Sequence, residues 1–220
     1  MTVFGSLPPA EQARQLANPE GRVGLEVAEW LNGNNRDGNA RTLAMLGVQA
    51  GDRVLEIGFG NGRAAPDIVA QAEDVRYAGI DISPTMVAEA ARFNAALLAA
   101  GRASFHLAAA ERMPFEDAAF DRVFSTGVIH FWREALVPLG EIRRVLRPGG
   151  LAVLGALDAR CPPPFARPEL GFFLRSADEW AELCREAGFG TVHARTIESE
   201  QLTPDGTPAK RYAVRVTAQR

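Results

Sequence analysis

The sequence is poor in the residues that would place it in several common classes. Its 220 residues hold only two cysteines, Cys161 and Cys184, far apart in the chain. That number and spacing exclude a disulfide framework and a cysteine-based zinc site, so no metal is expected, and they suit a reducing interior. No apolar run approaches the length of a membrane span, and the opening Met1-Thr2-Val3-Phe4-Gly5 lacks the charged start and apolar stretch of a secretion signal. The expected location is cytoplasmic, with no membrane partner. Neither sign of charge dominates: the net charge of -3 offers no general attraction to nucleic acid. Arg143, Arg144 and Arg147 fall on a predicted helix and its end, where the helix dipole favours cations on a solvated face. No internal repeat is visible, and the length suits one sizeable α/β domain better than two.

What is present is a turn. The apolar run Val54-Leu55 and Ile57 breaks into Gly58, Gly60 and Gly62, and the alanine-rich segment after them can be helical. This pattern predicts a buried strand turning sharply into a helix. Glycines permit positive φ and let a ligand touch main chain, while a helix start adds free N–H groups and partial positive charge. Dinucleotide sites use G-x-G-x-x-G, but here the third glycine comes one place early and Arg63 stands where that frame needs glycine. Glu56, two residues before the first glycine, would repel a pyrophosphate and suit hydroxyls or an ammonium group. Asp81 ends a second apolar run, at the distance where α/β nucleotide sites set a carboxylate on ribose hydroxyls. A cationic adenosine ligand without phosphates fits this constellation.

Four ordered pieces carry a family resemblance. They are Leu55-Glu56-Ile57-Gly58-Phe59-Gly60-Asn61-Gly62, then Gly79-Ile80-Asp81-Ile82-Ser83 with Met86, then Ala110-Glu111-Arg112-Met113-Pro114-Phe115 running into Phe120-Asp121, and finally Glu141 through the run Leu146-Arg147-Pro148-Gly149-Gly150. Over residues 51–154 the chain resembles the class I S-adenosylmethionine-dependent methyltransferases, most closely the small-molecule branch typified by quinone-biosynthesis enzymes. The resemblance implies S-adenosylmethionine as cofactor, held by Glu56, Gly58, Phe59, Gly60, Asn61 and Gly62 of the turn. It adds Asp81, Ile82 and Met86 after the second strand, Ala109, Ala110 and Glu111 after the third, and Thr126 after the fourth. Where many relatives have Gly-Asp-Ala before the Glu-x-Met-Pro-Phe run, this chain has Ala108-Ala109-Ala110. Adenine recognition then falls to main chain, to Glu111 or to packing.

The expected architecture is a Rossmann-like α/β fold: a seven-stranded, mostly parallel sheet with helices on both faces and an antiparallel C-terminal strand. Residues 1–220 read as one methyltransferase domain, with a helical lid at 1–50, the cofactor core at 51–160, and a substrate loop, helix and antiparallel strands at 161–220. Before the first strand the pattern predicts helices at 10–17, 24–31 and 39–46, with the cluster Asn32-Gly33-Asn34-Asn35 forming a turn. Asn34 or Asn35 is also placed to reach the cofactor's methionine end or the acceptor. Helices are predicted at 63–71, at 84–98 with Ser83 or Asp81 as its cap, at 134–146, and from Ser176 with Glu179 completing a capping box. Strands are predicted at 77–82, 103–107, 120–125, 151–157, 191–198 and 211–219, the last two joined by Thr203-Pro204-Asp205-Gly206. Met86 suits the core or the adenine, and Cys184 the core.

Methyl transfer from a sulfonium is a direct displacement, so positioning carries much of the work; alignment alone is worth about 7 to 11 kcal/mol in favourable cases. A base is needed only where the acceptor must lose a proton. His130, in the loop after strand four, is the candidate, while His106 and His193 lie in predicted strands. Phe131, Trp132 and, from the proline-rich loop at 158–173, Phe165 are candidate walls for a small-molecule acceptor. A nicotinamide-dependent oxidoreductase and a non-catalytic S-adenosylmethionine sensor are the competing readings. A nucleic-acid methyltransferase fits less well, because a basic channel and the Asn/Asp-Pro-Pro-aromatic signature are both missing.

Overall fold

The computed structural model describes residues 4–160, 162–163, 165–202 and 208–220. Three helices come first, α1 (Pro9–Ala17), α2 (Gly21–Asn34) and α3 (Arg36–Leu46). Strands and helices then follow as β1 (Arg53–Ile57), α4 (Ala65–Val69), β2 (Arg76–Asp81), α5 (Pro84–Phe93), α6 (Ala95–Ala99), β3 (Ala103–Leu107) and β4 (Phe120–Thr126). The chain ends with α7 (Leu136–Val145), β5 (Leu146–Leu157), α8 (Ala177–Glu186), β6 (Thr191–Leu202) and β7 (Pro208–Gln219). The seven strands form one sheet in the order β3-β2-β1-β4-β5-β7-β6. Neighbours among β1 to β5 pair parallel, and β7 runs antiparallel to both β5 and β6. This is the architecture the sequence predicts.

Strand period two explains the layering. Leu55, Ile57, Val123, Ala152 and Leu154 project to one face, where they pack with Leu139 and Ile142 of α7 and Trp180 and Cys184 of α8. Val54, Tyr77, Phe124 and Val153 project to the other, against Leu46 of α3 and Ile68 of α4. With both faces covered, the inner strands read as continuous apolar runs. Strand order reverses between β1 and β4, and in such sheets a crevice opens beyond the carboxyl ends at that point. Ser125 donates from its hydroxyl to the Ile57 carbonyl at 2.9 Å, fixing those two strand ends together.

Several boundaries differ from expectation for identifiable reasons. The segment 84–98 is two helices, because Asn94 leaves the helical region and its amide donates to the carbonyls of Gly62 (3.0 Å) and Ala90 (2.9 Å). Strand β5 starts at Leu146 rather than after the glycines. Phe120 pairs with Leu146 and Arg122 with Leu151, so Pro148-Gly149-Gly150 are accommodated as an irregularity within the strand, with Gly149 at φ 78°. Asn32 and Asn34 belong to α2, and the turn shrinks to the single junction residue Asn35. Strands β6 and β7 extend beyond the alternating runs, and the turn expected at 203–206 falls outside the described residues, as does Cys161. The α8 capping box is present: the Ser176 hydroxyl accepts from Glu179 N–H, and Glu179 accepts from Ser176 N–H.

Candidate functional site

The glycine turn leaves β1 with Gly58, Gly60 and Gly62 at φ 72°, 57° and 73°, a left-handed path that side chains resist. The three do different work. A Cβ on Gly58 would lie 2.2 Å from Val128 Cγ2, so this glycine admits the loop after β4. A Cβ on Gly62 would lie 2.7 Å from the Cβ of Ala90, so this one admits α5. At Gly60 a Cβ would meet nothing within 4 Å, so bare main chain faces open space.

Asp81, at the carboxyl end of β2, is latched to that turn. Its carboxylate accepts from Gly60 N–H (2.9 Å) and from Ser83 N–H (2.9 Å). Burial leaves its pKa raised, with these main-chain bonds opposing the rise in part. Carboxylate oxygens have further lone pairs, so paired hydroxyls can still be received. Beside it Ile82 is 50% exposed, and Leu107, the β3 residue paired with Asp81, is 58% exposed. Two uncovered apolar side chains flanking a latched carboxylate suit a nucleoside, base on the apolar side and sugar on the acid.

Glu56 lies deeper on the same face, buried, with the Tyr77 hydroxyl donating to it at 2.6 Å. Burial pushes its pKa up to about 8, Asp81 adds repulsion, and the Tyr77 bond works the other way. An arriving cation would restore its charge, so the groups present fit a cationic adenosine donor.

Helix α2 closes the turn from outside. Asn61, buried, donates to Glu29 Oε1 (3.1 Å) and accepts from Asn32 (3.1 Å), and Arg63 donates to Glu29 (2.5 Å). The same segment touches α5: the Ser83 hydroxyl donates to the Pro19 carbonyl, and Gly21 N–H donates to Thr85 Oγ1. The sequence pattern does not single out Glu29 and Asn32. Their spacing on one helix face was the available signal, but its target, Asn61, lies 29 and 32 residues away.

Other expected residues sit elsewhere. Asn34 is exposed near the end of α2 and Asn35 is the α2–α3 junction, while Asn32 is the member of the cluster that bonds the glycine turn, through Asn61. Met86 is fully buried with Ala28, Phe59 and Ala90, which assigns it to the core. The Phe59 ring also turns inward, 5.1 Å from Phe105, leaving its main chain to the turn. Trp132 is buried in the α7–α8 core and is not a pocket wall. Ala110 is buried, while Ala109 and Glu111 are exposed, and Ala109 lines an open groove with Leu107, Arg112 and Phe115. Thr126 ends β4 half-buried, paired with Gly155.

His130 sits in an aromatic cluster. Its ring stacks on Phe172 at 5.4 Å with Phe131 at 4.5 Å, and Phe165 lies 5.8 Å from Phe172. Ala13 and Leu16 of α1 cover these rings. Nδ1 of His130 accepts from Leu157 N–H at 3.4 Å, and burial drives the ring's pKa down to about 3. While that bond stands, the neutral ring carries its proton on Nε2 and has no free nitrogen to accept another.

Residues 55–154 match the family model described as methyltransferase domain. An O-methyltransferase of Aspergillus nomiae is 35% identical over 154 residues, covering 67% of this chain and 68% of that protein. The 27-O-demethylrifamycin SV methyltransferase of Amycolatopsis mediterranei is 36% identical over 161 residues, covering 73% of this chain and 55% of the relative. An O-methyltransferase of Aspergillus sclerotiorum is 33% identical, and the chain spans 61% of its length. Among solved structures, a SAM dependent methyltransferase from Aquifex aeolicus aligns with a TM-score of 0.63 at 21% identity, covering 97% of this chain and 98% of that one, a likeness of fold.

Proposed function

Because the chain belongs to the class I S-adenosylmethionine-dependent methyltransferase family, we propose that it transfers a methyl group from S-adenosylmethionine to a small-molecule acceptor by in-line displacement. When bound, S-adenosylmethionine supplies a methyl group on a sulfonium, a leaving group that needs no further activation. The observation that carries the reading is the latch from Gly60 N–H to the Asp81 carboxylate, with Ile82 and Leu107 open on either side. Asp81 would hold the ribose hydroxyls, the bare main chain at Gly60 would border the ligand, and Glu56 would balance the positive charge. Residues 1–50 act as the lid, with α2 bracing the turn through Glu29 and Asn32. Acceptor binding falls to the space beyond β4 and β5, bordered by Thr126 and by the cluster of His130, Phe131, Phe165 and Phe172.

The named relatives methylate oxygen, and we extend a hydroxyl acceptor to this chain. His130 serves there as an apolar wall and an Nε2–H donor rather than a base. The acceptor's proton leaves to solvent at the mouth, which favours an acidic hydroxyl such as a phenol. Cys184 is a buried free thiol pushed up to about 12 by burial, and no helix among the described residues is long and apolar enough to cross a membrane. The test is turnover with methyl-labelled donor and a panel of phenols and alcohols, followed by mass spectrometry. Label in an acceptor is the expected result. Label retained by the donor across the panel, despite tight donor binding, would overturn catalysis.

A further inference from the structure

The sheet face that carries Glu56 and Asp81 also carries a buried cation. Arg215 of β7 is 9% exposed. Its Nη1 donates to its neighbour's carbonyl at Val214 (3.0 Å) and its Nη2 to the Gly38 carbonyl of α3 (3.3 Å). Its Nε is buried with no partner among the described residues. A guanidinium offers five N–H donors and stays charged in proteins, so two carbonyl contacts leave this one under-satisfied. Burial lowers its pKa, and the positive charges of Arg41 on α3 and Arg211 on β7 add to that lowering.

The slot around the guanidinium is shaped by glycines. A Cβ on Gly38 would lie 2.9 Å from Nη2, and a Cβ on Gly155 would lie 2.9 Å from Nη1. Gly38 stands inside a helix and Gly155 inside a strand, places where glycine is unfavourable without a packing reason. Gly155 pairs with Thr126 on one side and with Arg215 on the other. The cation therefore lies two strands from the end of β4, beside the space assigned to the acceptor.

We propose that Arg215 forms an acceptor subsite for an anionic group, so that the methyl acceptor is a small molecule carrying a carboxylate or phosphate besides the atom methylated. Burying a guanidinium with an unpartnered Nε is unfavourable until an anion joins it, and a planar guanidinium suits either oxyanion. This rests on the methyltransferase reading for the role of the site, but not for its affinity. Chain length on the acceptor would decide which of its atoms reaches the methyl, and the anion would set that register.

The experiment is calorimetry on the full chain with 4-hydroxybenzoate, its methyl ester and 4-hydroxyphenyl phosphate, with S-adenosylhomocysteine titrated separately. An anionic probe is expected to bind about tenfold tighter than the neutral ester, and the tighter of the two anions names the group. Arg215→Met should erase that preference while leaving S-adenosylhomocysteine affinity unchanged. Gly38→Ala, which favours the helix but displaces the guanidinium, should also erase it, and serves if Arg215→Met fails to fold. Equal affinity for acid, phosphate and ester in the parent protein, or an undiminished preference in a folded variant, overturns the subsite. Failure to bind S-adenosylhomocysteine would instead count against the methyltransferase reading.

Discussion

The Tyr77 hydroxyl donates to Glu56 at 2.6 Å, and both residues are buried. Burial dominates both: Glu56 is pushed up to about 8, and the Tyr77 hydroxyl is raised as well. Without a ligand Glu56 therefore keeps its proton at neutral pH, and the site stores a neutral acid where a cation is to be received.

The sign of the resulting pH dependence is fixed. A carboxyl whose folded pKa lies above its unfolded value contributes stability that is full below the unfolded value, 4.5, and lost as pH rises through about 8. The thermal midpoint of the ligand-free protein should fall across that window. Glu56→Gln should flatten the fall, and a parent profile as flat as the variant's would contradict this.

The three glycines should fail differently. Gly58→Ala meets Val128 and positive φ together, so a loss of stability of about 3 kcal/mol or more is expected. Gly60→Ala meets only the φ penalty, about 1 to 2 kcal/mol, and should stay folded while losing donor affinity. Denaturant melts and calorimetry separate the two. Equal destabilisation would mean that the space before Gly60 is not the ligand's.

The tie from α2 to the turn should be measurable at a distance from the chemistry. Asn32→Ala removes the 3.1 Å bond to Asn61. A neutral hydrogen bond is worth about 1 kcal/mol, so donor affinity should weaken by a few fold with turnover at saturation preserved. Asn35→Ala, at the helix junction, should leave donor affinity unchanged.

A general base contributes roughly 100 to 10,000-fold, which makes His130 decidable. His130→Phe keeps a ring in the cluster and is expected to cost under about tenfold in turnover, within what lost packing and one lost donor explain. Because burial lowers the His130 pKa to about 3, its contribution to stability is present above its ordinary value and lost as pH falls toward that figure. His130→Phe should thus resist acid better. A loss beyond about a hundredfold, together with a lost acid limb in the rate profile, would restore the base.

The mostly parallel seven-stranded sheet, both helical layers, the glycine turn and the place of Asp81 at a strand end were legible because each rests on local pattern: period two in the strands, glycines at the turn, a carboxylate at the next strand's end. What was not legible depends on contacts between distant segments. Met86 and Trp132 look identical in sequence whether they face core or ligand, and only the packing of α5 and of α7 with α8 decides. The bond from Asn32 to Asn61 was hidden because α2 continues through the cluster that turn statistics would end. Arg215 was invisible for the same reason, since its slot is made by glycines 60 and 177 residues away in the chain.

Calorimetry with S-adenosylmethionine, S-adenosylhomocysteine and NAD, repeated with Asp81→Ala, tests the central claim most directly. Binding of the first two, lost in the variant, is the predicted result. Uptake of NAD with indifference to both adenosyl ligands would contradict it.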